Sequence, residues 1–142
     1  MRVVSLLDHI GWNKRILNED DFDKCCASYG ILFIETSMKW QGLYLVRQSI
    51  PVIAINSSLK GWQRLLVCWH EMVHHLLDTP ELTFFSIGSL NKMEERADII
   101  SICSVIPKTI ISCDSPYTLV EEYGFPEEII QSRLKILYEF GI

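Results

Sequence analysis

From Leu65 to Leu77 every residue is apolar except His70, Glu71, His74 and His75. The pattern predicts a helix over about 60–77 that is apolar almost all round, and such a helix is buried. Unpaired polar groups in a core are costly, so any fold of this chain has to bring partners to His70, Glu71 and His74. His70 and His74 are four residues apart and share one helix face, one turn apart. Both imidazoles can therefore bind one Zn²⁺ at about 2.0–2.1 Å. Glu71 lies about 100° around the helix, where it can reach a water beside the ion without being a ligand. This is the pattern H-E-x-x-H, and the chemistry it implies is amide hydrolysis by zinc-activated water.

A hydrolytic zinc site takes three protein ligands and keeps one position open. The segment Asn91-Lys92-Met93-Glu94-Glu95-Arg96-Ala97-Asp98, followed by an apolar run to Pro107, offers the third. It reads as a helix over about 91–106 with acidic residues in its first turns, where the macrodipole favours them. Glu94 and Asp98 share a face, and the small Ala97 lets this helix approach the histidine helix closely. Glu94 is assigned as third ligand. Asp98 is then the carboxylate that orients a ligand histidine through its other ring nitrogen. Glu95 is the rival ligand, but it is turned about 100° away.

At 142 residues the chain is expected to form one domain, with residues 108–142 as a C-terminal helical cap. Asn18-Glu19-Asp20-Asp21 starts a helix that stops at Gly30, and residues 3–10 form a further short helix. Residues 31–36, 43–47 and 51–56 read as strands, the last two joined by a hairpin. Residues 79–90 form a loop that borders the cleft, and Pro80 ends the motif helix. Ser115-Pro116 and Pro126-Glu127-Glu128 start the two C-terminal helices. The expected fold class is α+β: a minimal zincin-like domain with a small three-stranded, mainly antiparallel sheet. That sheet packs on the H-E-x-x-H helix and the third-ligand helix, and a C-terminal helical pair completes the chain.

The net charge of −5, with no basic cluster, argues against direct nucleic-acid binding. The acidic Glu121, Glu122, Glu127 and Glu128 make the C-terminal helix pair a packing cap rather than a DNA reader. Five cysteines in apolar context, with no zinc-ribbon or C-x-x-C spacing, point to reduced thiols and a cytoplasmic protein. Cys68 faces away from His70 and is a poor fourth ligand. No signal peptide is evident and no apolar run approaches the ~18 residues of a membrane span.

The chain resembles the ImmA/IrrE-type metallopeptidases, a gluzincin-like cytosolic family of bacteria and their mobile elements. The resemblance covers roughly residues 18–140. It rests on Gly42-Leu43-Tyr44-Leu45, Pro51-Val52-Ile53-Ala54-Ile55-Asn56, and His70-Glu71-Met72-Val73-His74-His75-Leu76-Leu77. It continues through Glu94-Glu95-Arg96-Ala97-Asp98 to Val105-Ile106-Pro107. The helix after the acidic motif departs from the family's Ala/Phe-rich pattern, carrying Ile99-Ile100-Ser101-Ile102-Cys103-Ser104 instead. The resemblance implies His70, His74 and Glu94 as ligands of one Zn²⁺, Glu71 as base and Asp98 behind a ligand. It also implies a protein substrate, a helix-turn-helix repressor cut at one site. Tyr44 is a candidate oxyanion donor, and His75 a satisfied structural histidine. The competing reading is a non-catalytic zinc-binding interaction module, such as a toxin–antitoxin partner. Four ligands, and no need for Glu71, would suit that reading better. Oligomeric state is not legible.

Overall fold

The computed structural model describes residues 8–77 and 87–142, with side chains of the last helix segment described from Lys92 onward. Their order is α1 (Glu19–Tyr29), β1 (Leu32–Thr36), β2 (Gly42–Arg47), β3 (Ile50–Asn56), α2 (Gly61–Leu77), α3 (Ile87–Val105), α4 (Lys108–Ile111), α5 (Pro116–Glu121) and α6 (Glu127–Phe140). They fall into two compact units, one spanning Asn18–Ser101 and one combining the chain up to Leu17 with Ile102–Ile142. The architecture is α+β, with one three-stranded sheet and six helices among the described residues.

In the Asn18–Ser101 unit, α1 starts where its sequence says it should. The Asn18 side chain accepts from the Asp21 N–H at 3.0 Å, and Asp21 Oδ2 accepts the Asn18 N–H at 2.9 Å. This reciprocal cap satisfies two orphan donors of the first turn. Gly30 ends the helix in the left-handed region at φ 66°, which costs glycine nothing. The sheet has order β1-β3-β2. Gln48 and Ser49, at φ 51° and 66°, form the two-residue turn between β2 and β3. Two positive φ values match the twist of the flanking strands, so the pair is antiparallel, with Leu43 opposite Ala54 and Leu45 opposite Val52.

The sheet is mixed rather than mainly antiparallel. β1 joins the far side of β3 in parallel, Leu32 opposite Val52 and Thr36 opposite Asn56. Of the two edges the hairpin leaves, β1 takes that of β3 and runs the same way as β3, and β2 keeps an open edge. Ile53 and Ile55 are fully buried, while Leu32, Ile34, Leu43, Leu45 and Ile50 on the opposite face are 37–52 % exposed. Period-two alternation places these two sets on opposite faces.

The buried core of this unit centres on Trp69, Phe22 and Met72. Phe22 meets Phe33 and Trp69 edge to face, at centroid distances of 5.2 and 5.8 Å. Each such side chain contributes about 1.5–3 kcal/mol by leaving water. Arg64 of α2 clamps the layers at the surface. Its guanidinium reaches both oxygens of Glu35 in β1 at 2.8 Å, and Nε reaches Glu19 in α1 at 2.6 Å.

α3 begins at Ile87, four residues before the expected start, so Glu94 and Glu95 lie beyond its first turn. The macrodipole therefore does not account for their position. Gly88 and Ser89 are poor helix formers, and that conceals the true start in the sequence. Residues 87–90 are thus helical rather than loop. The rest of the expected cleft-bordering loop, Pro80 as helix terminator and most of the expected helix over 3–10 fall outside the described residues.

The other unit holds α4, which the sequence reading lacked: Pro107 does not merely end α3 but stands at the N-cap of α4. Ser115 caps α5, accepting the Thr118 N–H at 3.1 Å, with Pro116 in the first turn. Arg133 of α6 is fully buried. It donates from Nε to the Ile106 carbonyl, from one terminal nitrogen to the Ile142 carbonyl at 2.8 Å, and from the other to Asn13 Oδ1 at 3.0 Å. Replacing Arg133 by Met would orphan those acceptors, so this variant should lose about 2–4 kcal/mol of stability. Urea unfolding read by circular dichroism measures the loss. Wild-type stability in the variant would make the three bonds energetically neutral.

Candidate metal centre

The centre lies within the Asn18–Ser101 unit, where α2 and α3 each supply one face. His70 and His74 project from one side of α2, as their spacing requires, with side chains 19 % and 12 % exposed. Their Nε2 atoms are 3.1 Å apart. Glu94 of α3 meets both: Oε2 is 3.1 Å from His70 Nε2, and Oε1 is 2.8 Å from His74 Nε2. A tetrahedral ion with bonds of about 2.0–2.1 Å holds its donors about 3.3–3.4 Å apart. The three groups converge at 2.8–3.1 Å, somewhat closer than that spacing, with a different Glu94 oxygen facing each imidazole.

Asp98, one turn further along α3, takes the other side of His70, with Oδ1 2.9 Å from Nδ1. An imidazole that gives its Nδ1 proton to a carboxylate turns the lone pair of Nε2 toward the convergence point. Ala97, beside Asp98 on α3, is fully buried. Glu94 and Asp98 are 59 % and 66 % exposed. The centre is thus walled by α2 and open to solvent on the α3 side.

Glu71 is buried, and one of its carboxylate oxygens lies within 4.8 Å of the ligand atoms of His70 and His74. Burial raises its pKa, the two histidines pull it down, and Glu94 pushes it up, leaving it above the ordinary glutamate value. Burial also opposes charge on His70, but Asp98, Glu71 and Glu94 outweigh it and raise that pKa to about 9. Cys68 is buried, which pushes its thiol up to about 12 and leaves it a protonated, poor ligand. Of the cysteines, Cys113 departs from the expected apolar setting: it is exposed.

Tyr44 was the candidate oxyanion donor, and the structure places its hydroxyl 2.8 Å from His75 Nδ1. Tyr29 and Tyr44 flank the His75 ring edge to face, at 5.0 and 5.5 Å. Burial holds His75 below the usual histidine range. Gly42 is a neighbour of the centre that the sequence reading did not single out. A Cβ placed on it would stand 3.2 Å from Glu71 Oε2 and 2.6 Å from Val67 Cγ1. The available signal was a glycine opening an apolar strand, which marks close backbone approach.

The family model of the IrrE N-terminal-like domain, a peptidase family, matches residues 26–135. Neither the curated proteins nor the solved structures yield a match. Among the described residues no helix is long and apolar enough to cross a membrane.

With its pKa near 9, His70 holds a proton at neutral pH that an incoming ion must displace. Apparent zinc affinity should therefore climb with pH from 6 to 9, by about tenfold per unit for one displaced proton. Asp98→Asn should weaken binding about 10- to 100-fold and flatten that slope between pH 7.5 and 8.5. Competition against a coloured chelator across the pH series reads both effects. An affinity independent of pH would remove His70 from the ligand set.

Proposed function

The chain belongs to the IrrE N-terminal-like peptidase family, and on that premise we propose that it is a zinc-dependent endopeptidase. The observation that carries the reading is the convergence of His70, His74 and Glu94 at 2.8–3.1 Å beside a buried Glu71. The donor set suits zinc: two imidazoles and one carboxylate, with a side open to solvent for a fourth position. Such an ion supplies Lewis acidity, making water nucleophilic near neutral pH and drawing charge onto the oxygen of a scissile carbonyl.

The chain's own residues do the rest. His70, His74 and Glu94 hold the ion, and Asp98 fixes the tautomer and tilt of the His70 ring. Glu71 accepts the proton of the attacking water and passes it to the leaving amine. Burial holds its carboxyl above the ordinary glutamate range, which makes it a stronger proton acceptor than an exposed glutamate. β2 is an edge strand of the sheet, and its residues Gly42 and Tyr44 lie against Glu71 and His75 of the motif helix. An extended substrate segment adding to that edge is led along the centre by main-chain hydrogen bonds. The substrate is a helix-turn-helix repressor, cleaved at one site in the cytoplasm. Support for that identity is the ImmA/IrrE resemblance of the motif block His70–Leu77 with Glu94–Asp98.

A non-catalytic zinc module would have no use for a buried carboxylate beside the ligands, since burying one costs energy. Glu71→Gln should retain stoichiometric zinc and lose about 100-fold or more in cleavage of a repressor encoded beside the gene. Elemental analysis and gel-resolved digestion measure the two. Equal cleavage by wild type and variant would remove Glu71 as the base. Zinc binding without cleavage by wild type would favour the interaction module.

A further inference from the structure

Gly42 and Tyr44 are consecutive positions of β2 that face α2, and they meet Glu71 and His75, one helical turn apart. Alternate residues of a strand are spaced by about 6.8 Å, and four residues of a helix rise about 6 Å, so the two elements stay in step over this stretch. At the Tyr44 end a hydrogen bond to His75 and two edge-to-face rings fix the height of the strand over the helix. At the Gly42 end the strand descends until no side chain fits. A Cβ there would lie 2.6 Å from Val67 Cγ1, 3.1 Å from Glu71 Cγ and 3.2 Å from Glu71 Oε2. Gly42 is not among the residues with positive φ. Space, not backbone conformation, is therefore what requires glycine.

We propose that Gly42 is a positioning residue for Glu71: its missing side chain leaves the slot in which the carboxylate stands, and the Tyr44–His75 bond holds β2 at the height that defines that slot. The proposal rests on Glu71 being the proton acceptor beside the metal. A side chain at position 42 would press on both the carboxylate and Val67. Removing the Val67 methyls relieves the harder clash and leaves the contact with Glu71 in place.

Acetohydroxamate is a suitable probe, because it chelates zinc through two oxygens and gives up its N–O–H proton to an acceptor beside the ion. It is titrated calorimetrically into zinc-loaded wild type, Glu71→Gln, Gly42→Ala, Val67→Ala and the double variant Gly42→Ala/Val67→Ala. Melting temperature and zinc content are read on the same samples. Gly42→Ala and the double variant should both bind the probe about tenfold or more weakly than wild type, as Glu71→Gln does, a loss of about 1.4 kcal/mol or more. Val67→Ala alone should bind like wild type, and the double variant should regain the melting temperature that Gly42→Ala loses. Wild-type affinity in the double variant would overturn the proposal, since Gly42 would then serve only to seat Val67. No peptide enters the measurement. Failure to cut any peptide with normal probe binding would overturn the peptidase reading and leave the Gly42 result standing.

Discussion

Two imidazoles and a carboxylate, His70, His74 and Glu71, set among the apolar residues of α2 are the constraint from which this unit is organised. α2 buries Leu65, Cys68, Trp69, Met72 and Val73. That burial drives the helix inward, and His70, Glu71 and His74 travel with it. Their desolvation has to be answered by opposite charge or by hydrogen bonds. α3 answers it with Glu94 and Asp98, arranged one turn apart so that one carboxylate serves both Nε2 atoms and the other serves His70 Nδ1. Protonated at neutral pH, His70 faces Glu94 through Nε2 and Asp98 through Nδ1, and a cation entering the centre takes the place of the Nε2 proton.

Much of this could be read from the chain because helical spacing is a rigid ruler. His70 and His74, and Glu94 and Asp98, are each four apart, and helix geometry turns that number directly into a shared face. The caps at Asn18, Gly30 and Ser115 were legible for the same reason: each satisfies backbone groups within a few residues of itself. What escaped were features settled over long separations. The parallel pairing of β1 with β3 depends on which of the hairpin's two edges β1 takes, and no residue of β1 encodes that. Arg133 reads as one more charge on an amphipathic helix, yet its partners are Asn13, Ile106 and Ile142, distant in sequence. Gly42 reads as an ordinary glycine until α2 is placed beneath it.

The start of α3 shows a different failure. Acidic residues at 94 and 95 resemble a helix N-terminus, and the macrodipole gives a physical reason to put one there. The helix nonetheless extends back to Ile87 through Gly88 and Ser89. Acidic residues in mid-helix need another explanation, and the centre supplies it for Glu94, whose two oxygens both face imidazoles.

The asymmetry of the centre also bears on how fast an ion comes and goes. The imidazoles are enclosed and held by α2, whereas the carboxylate arm from α3 is more than half exposed. Detachment of a chelated ion proceeds one bond at a time, and water can compete for the Glu94 oxygens long before it reaches the rings. With the ligand set proposed above, exchange kinetics would be governed by the swing of a single surface side chain, and equilibrium affinity by the two more enclosed imidazoles. A centre built this way can hold its ion tightly at rest and still surrender it quickly to a scavenger that approaches from the α3 side.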